Sequence, residues 1–435
     1  MKERTRVTAS LDDIPSAVLI SIIHFMDDPQ SICALEGTSK NLKAVVMESS
    51  CWSRLYRQRW TATAGSSVVG MMMMRRSGIK TEYRRRHLLD QQLQQFIDTL
   101  MLESTERDQV VRAVTQVMSH GRDALDLCWK FWKRFKDNCD KHGDFNRNEL
   151  IALCLLRSVH CAAVLEDIKD LCTTSDHHDD NPAIALEEYA IMSSRMFFDI
   201  KEHGPADPTS RWIRQQLDDI AAQVRQRWLT ALPGTDGDTD TTTATSIMET
   251  KLELFNTVFF DELNFTGNTE NYYDFQNSMI HTSLQRRTGI PMTLAVLYKC
   301  VARRLQLQVD IIGLPGHIVI GVPSLQAYVD VFRKGRRLLT LSDCERIVNS
   351  YGHAMVPEYI QPLTPAQVFR RILNNCSNCL SQTFPPNASK RMAIEAMRAI
   401  LINPTKEQVD DCRRWFCSVL WGNHSSAHLQ EMSKW

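Results

Sequence analysis

Residues 286–305 read RRTGIPMTLAVLYKCVARRL, and residues 309–332 continue as VDIIGLPGHIVIGVPSLQAYVDVF. Pro291 suits the first position of a helix, where its missing N–H has no intrahelical partner, and the apolar residues after it carry that helix to Leu305. Three short runs with strand character follow, at Val309–Ile312, Ile318–Val322 and Tyr328–Phe332. This block is therefore mixed α/β, and the sequence on either side of it reads as helix.

Working back towards the N-terminus, Leu252 to Leu263 predicts a helix. Ahead of it PGTDGDTDTTTATS (233–246) holds turn formers and threonine with little to bury, which predicts an exposed, flexible loop or insertion. Ile213, Leu217, Ile220, Val224 and Trp228 recur at helical spacing, and further helices are predicted over Leu186–Phe198, Glu149–Leu171 and Leu125–Phe135. Thr105 with Asp108 reads as a capping box before the face formed by Val110, Val111, Val114, Val117 and Met118. Residues 61–80, with Met71–Met74, read as a linker. From Ile14 to Met26 the apolar residues Ile14, Val18, Leu19, Ile22, Ile23 and Met26 mark a short amphipathic helix beside Pro15. Leu35, Leu42, Val45, Val46, Trp52, Leu55, Tyr56 and Trp60 complete what reads as three short helices. So small a unit buries little surface alone and calls for a partner or an adjoining domain. Beyond Thr364, helical periodicity returns through Val368, Ile372 and Leu373 and again from Met392 to Leu401.

A length of 435 residues suggests two or three domains. Lys+Arg 51 against Asp+Glu 51 gives no global field favouring nucleic acid or an anionic membrane. Thirteen cysteines spread without regular spacing fit reduced thiols better than a disulfide framework. Neither a signal peptide nor a membrane-spanning run is legible, so the expected location is cytoplasmic, nuclear or both.

Two family resemblances organise the chain. In the first 60 residues, Ile14-Pro15, Val18-Leu19, Ile22-Ile23, Ser31-Ile32, Leu35, Thr38-Ser39-Lys40 with Leu42, and Trp52-x-x-Leu55-Tyr56 keep the order and approximate spacing of an F-box. That resemblance implies docking on a Skp-type adaptor, and through it on a cullin-RING ubiquitin ligase. The expected adaptor-binding residues are Ile14, Pro15, Val18, Leu19, Ile22, Ile23, Leu35, Leu42, Trp52, Leu55 and Tyr56. The second covers residues 183–375, on Glu187-Glu188-Tyr189-Ala190, Asn271-Tyr272-Tyr273-Asp274, Asn277-Ser278, Arg286-Arg287-Thr288-Gly289-Ile290-Pro291 and Pro315-Gly316-His317. It resembles the SirB-type transglutaminase-like domain. F-box proteins that carry this domain often add a C-terminal domain similar to a hemimethylated-DNA-binding protein, and the residues before Trp435 leave no room for it, so a shortened form is expected. The expected fold is α+β and mostly helical: an F-box of three helices at 9–60, a linker and basic helix start at 61–87, a helical region at 88–182, the transglutaminase-like α/β block with a small antiparallel sheet at 183–375, and a helical segment at 376–435.

The resemblance also sets a chemical question. A Cys-His-Asp enzyme needs a thiolate at a helix N-terminus, an imidazole base and a carboxylate to orient it. His317, just before one strand, and Asp330, inside the next, resemble the base and orienter, and an antiparallel pair would set them side by side. By analogy with transglutaminases the nucleophile belongs at Pro291, which has none. Cys300 lies nine residues further on, about 13 Å along the helix, and Thr293 would need a strong base and different geometry. The triad is broken, and no catalytic residues are expected beyond these remnants. His317 and Asp330 then either satisfy each other or belong to a recognition cleft with Asn277, Ser278, Arg287 and Pro291, whose polar groups would bind a peptide or fix the loop.

Other signals read as structure. Cys376 and Cys379, with Cys412, Cys417, His424 and His428, have the wrong spacing for zinc, and one helical turn makes the first two buried neighbours. Asp176–Asp180 reads as a polar loop, and Phe145 stands where a calcium loop beginning at Asp140 requires glycine. Arg84-Arg85-Arg86-His87, with Arg75-Arg76, reads as a solvated helix face rather than a phosphate or nuclear-import signal. Trp129, Phe131, Trp132 and Phe135 read as interhelical packing. No metal, cofactor, nucleic acid or membrane is implied. The expectation is a non-catalytic substrate receptor of an F-box ligase; a hydrolase or transferase using the His317/Asp330 cleft and a helical scaffold are the alternatives.

Overall fold

The computed structural model describes residues 14–48, 50–60, 76–102, 106–139, 146–175, 182–197, 200, 208–232, 241–335, 337–382 and 388–421. These are mostly helical, with one small antiparallel sheet, and they fall into two compact units divided between Val159 and His160.

In the first unit the segment expected as three helices forms four: α1 (Ser16–Phe25), α2 (Pro29–Thr38), α3 (Lys40–Glu48) and α4 (Cys51–Arg59). Asp28 starts α2, its carboxylate accepting the N–H groups of Gln30 at 3.2 Å and Ser31 at 2.8 Å ahead of a proline at the first helical position. Ser39, in extended backbone, then breaks the chain, and its hydroxyl accepts the Leu42 N–H at 3.1 Å, so α2 and α3 are separate. Leu19, Ile23, Ile32, Leu42, Trp52, Leu55 and Trp60 form one core. That core is closed by α5 (Arg76–Met101), whose Tyr83 ring lies 5.3 Å from Trp52 and 4.9 Å from Trp60. Helix therefore reaches back to Arg76, into the expected linker; residues 61–75 lie outside the described set.

The basic run on α5 is solvated only in part: Arg84 and Arg85 are exposed, as expected, whereas Arg86 is turned inward. Arg86 is fully buried, pairs with Asp123 and lies 3.8 Å from Asp126, while Arg85 bridges Glu82 and Asp123 at 2.6 Å each. A guanidinium taken from water needs such partners, and the sequence hid them on another helix. Helices α6 (Arg107–Ser119) and α7 (Arg122–Cys139) follow in the same unit. The capping residue of α6 is Glu106 with Gln109, one residue later than expected, and Thr105 is not described. Phe131 and Trp132 are buried as read.

α8 (Arg147–Ser175) spans the boundary between the units, and the second unit continues with α9 (Pro182–Met196), α10 (Pro208–Ala231) and α11 (Thr241–Asn256). Thr241–Ser246 are helical rather than part of a loop, while 233–240, like 176–181, lie outside the described residues. A six-residue π-turn, Thr257–Glu262, follows α11 and buries Phe259 and Phe260. Next come β1 (Thr266–Gly267), α12 (Ile280–Arg286), β2 (Thr288–Gly289) and α13 (Pro291–Arg304). Ten residues of α13 are buried, and their packing against α9 and α10 makes it the central helix. Its C-terminal end is tied down by Glu187 of α9, which accepts from Arg303 at 2.7 Å and from Arg304 at 2.6 and 3.0 Å.

Strands β3 (Asp310–Leu314), β4 (His317–Val322) and β5 (Ala327–Val329) form an antiparallel meander in the order β3-β4-β5. His317 is the first residue of β4. Asp330 falls just after β5 rather than inside it, because its backbone turns away to close a loop in which the Gly335 N–H donates to the Asp330 carbonyl at 2.8 Å. The remaining helices are α14 (Leu341–Ser350), α15 (Pro365–Ser381), α16 (Ala388–Ile402) and α17 (Lys406–Leu420). No helix among the described residues is long and apolar enough to cross a membrane.

Candidate functional site

The site begins at the β3–β4 turn. Leu314 pairs with His317 across Pro315-Gly316, and Gly316 takes a φ of +68°, where only glycine is unstrained. A Cβ there would lie 2.4 Å from the Tyr351 ring, so this aromatic side chain covers the turn next to the imidazole. β5 pairs with β4 through Ile320 and Val329, which delivers Asp330 to the same edge. His317 Nε2 lies 3.0 Å from Asp330 Oδ2, a contact that puts the ring proton on Nε2 when the carboxyl is ionised. The other oxygen of Asp330 accepts the N–H groups of Phe332 at 3.1 Å and Arg333 at 3.2 Å. Burial raises the Asp330 pKa, but the His317 hydrogen bond and the two backbone donors outweigh it and hold the carboxyl below its ordinary value.

The opening of α13 is linked to this loop through β1. Gly267 donates to the Phe332 carbonyl at 3.3 Å, and Asn268 donates to the Gly289 carbonyl at 3.0 Å, so one short strand lies between the Asp330 loop and the residues that start the helix. Pro291 is the first residue of that helix and offers no side-chain nucleophile. The Thr293 hydroxyl is buried and has no hydrogen-bond partner among the described residues. Cys300 is wholly buried in the middle of α13, and desolvation, then the Glu187 charge, pushes its thiol well above the ordinary range.

A cavity of about 650 Å³ opens over the His317–Asp330 pair. Of the six residues expected in a cleft, only these two line it. Asn277 is buried and spends its amide on the loop, donating to the carbonyls of Asn271 at 2.7 Å and Tyr272 at 3.2 Å and accepting from Asn268 at 3.0 Å. Ser278 is buried against Cys376. Arg287, in left-handed backbone, lays its guanidinium 4.8 Å from the Phe265 ring centre, and Pro291 is absent from the lining. The cavity wall instead comprises Arg333, Gly335, Arg337, Leu339, Asp343, Arg346, Ile347, Ser350 and Tyr351. Sequence reading passed over these, although RKGRR at 333–337 is as dense a basic run as the one singled out on α5. Cys376 and Cys379 are buried on α15, and among the described residues no three metal-ligating side chains converge.

Among known proteins, the transglutaminase-like superfamily model matches residues 211–374. This segment is a transglutaminase-like domain. Mouse F-box only protein 21 is 34% identical over 110 residues, 23% of this chain and 17% of that protein, and the human protein is 33% identical over the same length and shares. A UPF0162 protein of Xylella fastidiosa (strain 9a5c) is 28% identical over 166 residues, covering 37% of this chain and 59% of the bacterial protein. The chain thus spans about a sixth of the F-box only proteins in these matches, which fall within the transglutaminase-like region. No solved structure matches.

In the N-terminal module the eleven residues expected to meet an adaptor divide by burial. Leu19, Ile23, Leu42, Trp52, Leu55 and Tyr56 are buried in the module's own core, and Ile14 and Leu35 pack partly against it. Pro15, Val18 and Ile22 are exposed. So is Phe25, which the sequence reading left out; its place three residues beyond Ile22 was the available signal.

Proposed function

We propose that this protein is the substrate-recognition subunit of an SCF-type ubiquitin ligase, binding a Skp-type adaptor through its N-terminal module and a protein substrate through its transglutaminase-like domain. The observation that carries the proposal is the outer face of α1. Val18 is 48% exposed, Ile22 49% and Phe25 83%, although the module already has a complete core of its own. An apolar stripe at i, i+4, i+7 left in water has the form of a helix face that docks into a partner groove. The F-box order of residues 14–56 and the likeness of the downstream domain to F-box only protein 21 support the same reading. In this reading the transglutaminase-like domain performs no thiol chemistry, since its helix opens on Pro291. The chain works in the cytoplasm or nucleus, in keeping with twelve free cysteines among the described residues.

The His317–Asp330 pair favours a second reading, a cysteine-independent hydrolase or transferase, and against it stands the burial of Thr293, the nearest hydroxyl on the helix. The deciding experiment is co-purification with a Skp-type adaptor and cullin. Wild type is expected to form a stoichiometric complex that a Val18→Glu/Ile22→Glu variant loses while keeping its circular dichroism spectrum. A folded wild-type chain that captures no adaptor overturns the proposal. Leu19→Asp is unsuitable, because Leu19 is 3% exposed and its loss unfolds the module whatever the module binds.

A further inference from the structure

Three arginines surround the His317–Asp330 pair, and the two carboxylates among them are already spent. Asp343 accepts the Thr340 N–H at 2.8 Å and hydroxyl at 3.0 Å as part of the cap that starts α14, and it also holds Arg337 at 2.9 Å and Arg346. Asp330 is committed to His317 and to two backbone N–H groups. Asp343 therefore grips both guanidiniums from one side, while their side chains remain 68% and 74% exposed and keep further N–H donors free to face the cavity. Arg333 is 80% exposed, its Nε 4.0 Å from Asp330. The loop that carries it is fixed in place. Gly335, at φ +50°, sits where a Cβ would lie 2.4 Å from the Phe260 ring. Behind the arginines, Leu339, Ile347 and Tyr351 give the same cavity an apolar wall.

We propose that this cavity is where the substrate is read, and that it recognises an acidic peptide segment, with Asp or Glu carboxylates on Arg333, Arg337 and Arg346 and an apolar neighbour against Leu339, Ile347 and Tyr351. Planar guanidiniums pair with carboxylates through two parallel hydrogen bonds, and pre-positioned ones lose little entropy on binding. Nucleic acid fits less well. A phosphate chain would have no use for the apolar wall, and the whole chain carries a net charge of +0.

The inference rests on the substrate-receptor reading but is tested apart from it, on the full chain without adaptor. The probe is a dye-labelled, end-blocked peptide with the core Glu-Leu-Glu, followed by fluorescence anisotropy against its Gln-Leu-Gln and phosphoserine counterparts and a single-stranded oligonucleotide. The Glu peptide is expected to bind at least ~10-fold more tightly than the Gln peptide, and to weaken as salt rises. Arg337→Gln/Arg346→Gln should abolish that preference. Arg333→Gln, at a position with little to unfold, should reduce it. Equal binding of Glu and Gln peptides, tighter binding of phosphoserine, or preferential capture of the oligonucleotide would each overturn the assignment. Adaptor capture without a peptide preference overturns this inference alone, whereas a peptide preference without adaptor capture overturns the receptor reading.

Discussion

Helices α1 and α13 look alike in sequence. α1 begins directly after Pro15 and α13 at Pro291, and each continues as an apolar run at helical spacing. In the structure they differ in whom the apolar surface serves. α13 buries ten of its fourteen residues inside one unit, whereas α1 buries Leu19 and Ile23 and leaves Val18, Ile22 and Phe25 in water. Period reports that a helix has an apolar face, and only packing shows whether the chain itself covers that face.

The contrast can be broken most severely at the C-terminal end of α13. Replacing Glu187 by Ala strips the carboxylate from Arg303 and Arg304 and leaves their guanidiniums half-buried without it. A loss of about 3–5 kcal/mol is expected by chemical denaturation. A loss within experimental error would mean that apolar packing alone fixes α13.

A second test uses pH, again in the second unit. His281, on α12, has its pKa lowered to about 4, first by burial and then by the Arg286 charge. The unfolded chain takes up this proton as pH falls through about 6.5, while the folded chain resists it until about 4. Stability contributed by the neutral ring is therefore full above 6.5, declines as pH drops through that window and levels off below 4, a change of about 3 kcal/mol. His281→Gln should flatten the profile by that amount, and an unchanged profile would show that the ring already takes up its proton in the fold.

The comparison is sharpened within α1 by two neighbouring truncations. Leu19→Ala should cost about 2–3 kcal/mol, because it opens a cavity in the module's core. Val18→Ala should stay within about 0.5 kcal/mol and act on adaptor binding alone. Equal losses would mean that the outer face of α1 is covered within the chain.

Much of the fold was legible because its signals were local. Pro291, the alternation after Val309 and the 3–4 spacing from Ile213 to Trp228 each rest on backbone preferences within a few residues, and the elements stand where they pointed. What escaped depended on partners far along the chain. Arg86 looks solvated until Asp123 and Asp126 arrive from another helix, and Asn277 looks free until the Asn271 and Tyr272 carbonyls claim its amide. The His317–Asp330 contact was foreseeable because a short hairpin and one strand pairing bring the two together. Arg346 joins the same cavity because the Thr340–Asp343 cap starts its helix there; the capping spacing is legible in the sequence, but which side chains that helix brings to the cavity is not.

A small effect on stability is also expected at Pro291, where the question of lost chemistry can be put directly. Pro291→Cys restores a thiol at the first position of α13 and should change stability by no more than about 1 kcal/mol, since the position tolerates residues other than proline. The helix N-terminus lowers the pKa of such a thiol, so iodoacetamide should label the folded variant once beyond wild type near neutral pH, whereas Cys300 stays unlabelled until the chain is denatured. Removing His317 in that background reads the remaining distance. A several-fold slower reaction in the Pro291→Cys/His317→Ala variant would place the imidazole within reach of the helix start, leaving a nucleophile as the missing part of the triad. An unchanged rate would instead assign the His317–Asp330 pair wholly to the arginine-lined cavity.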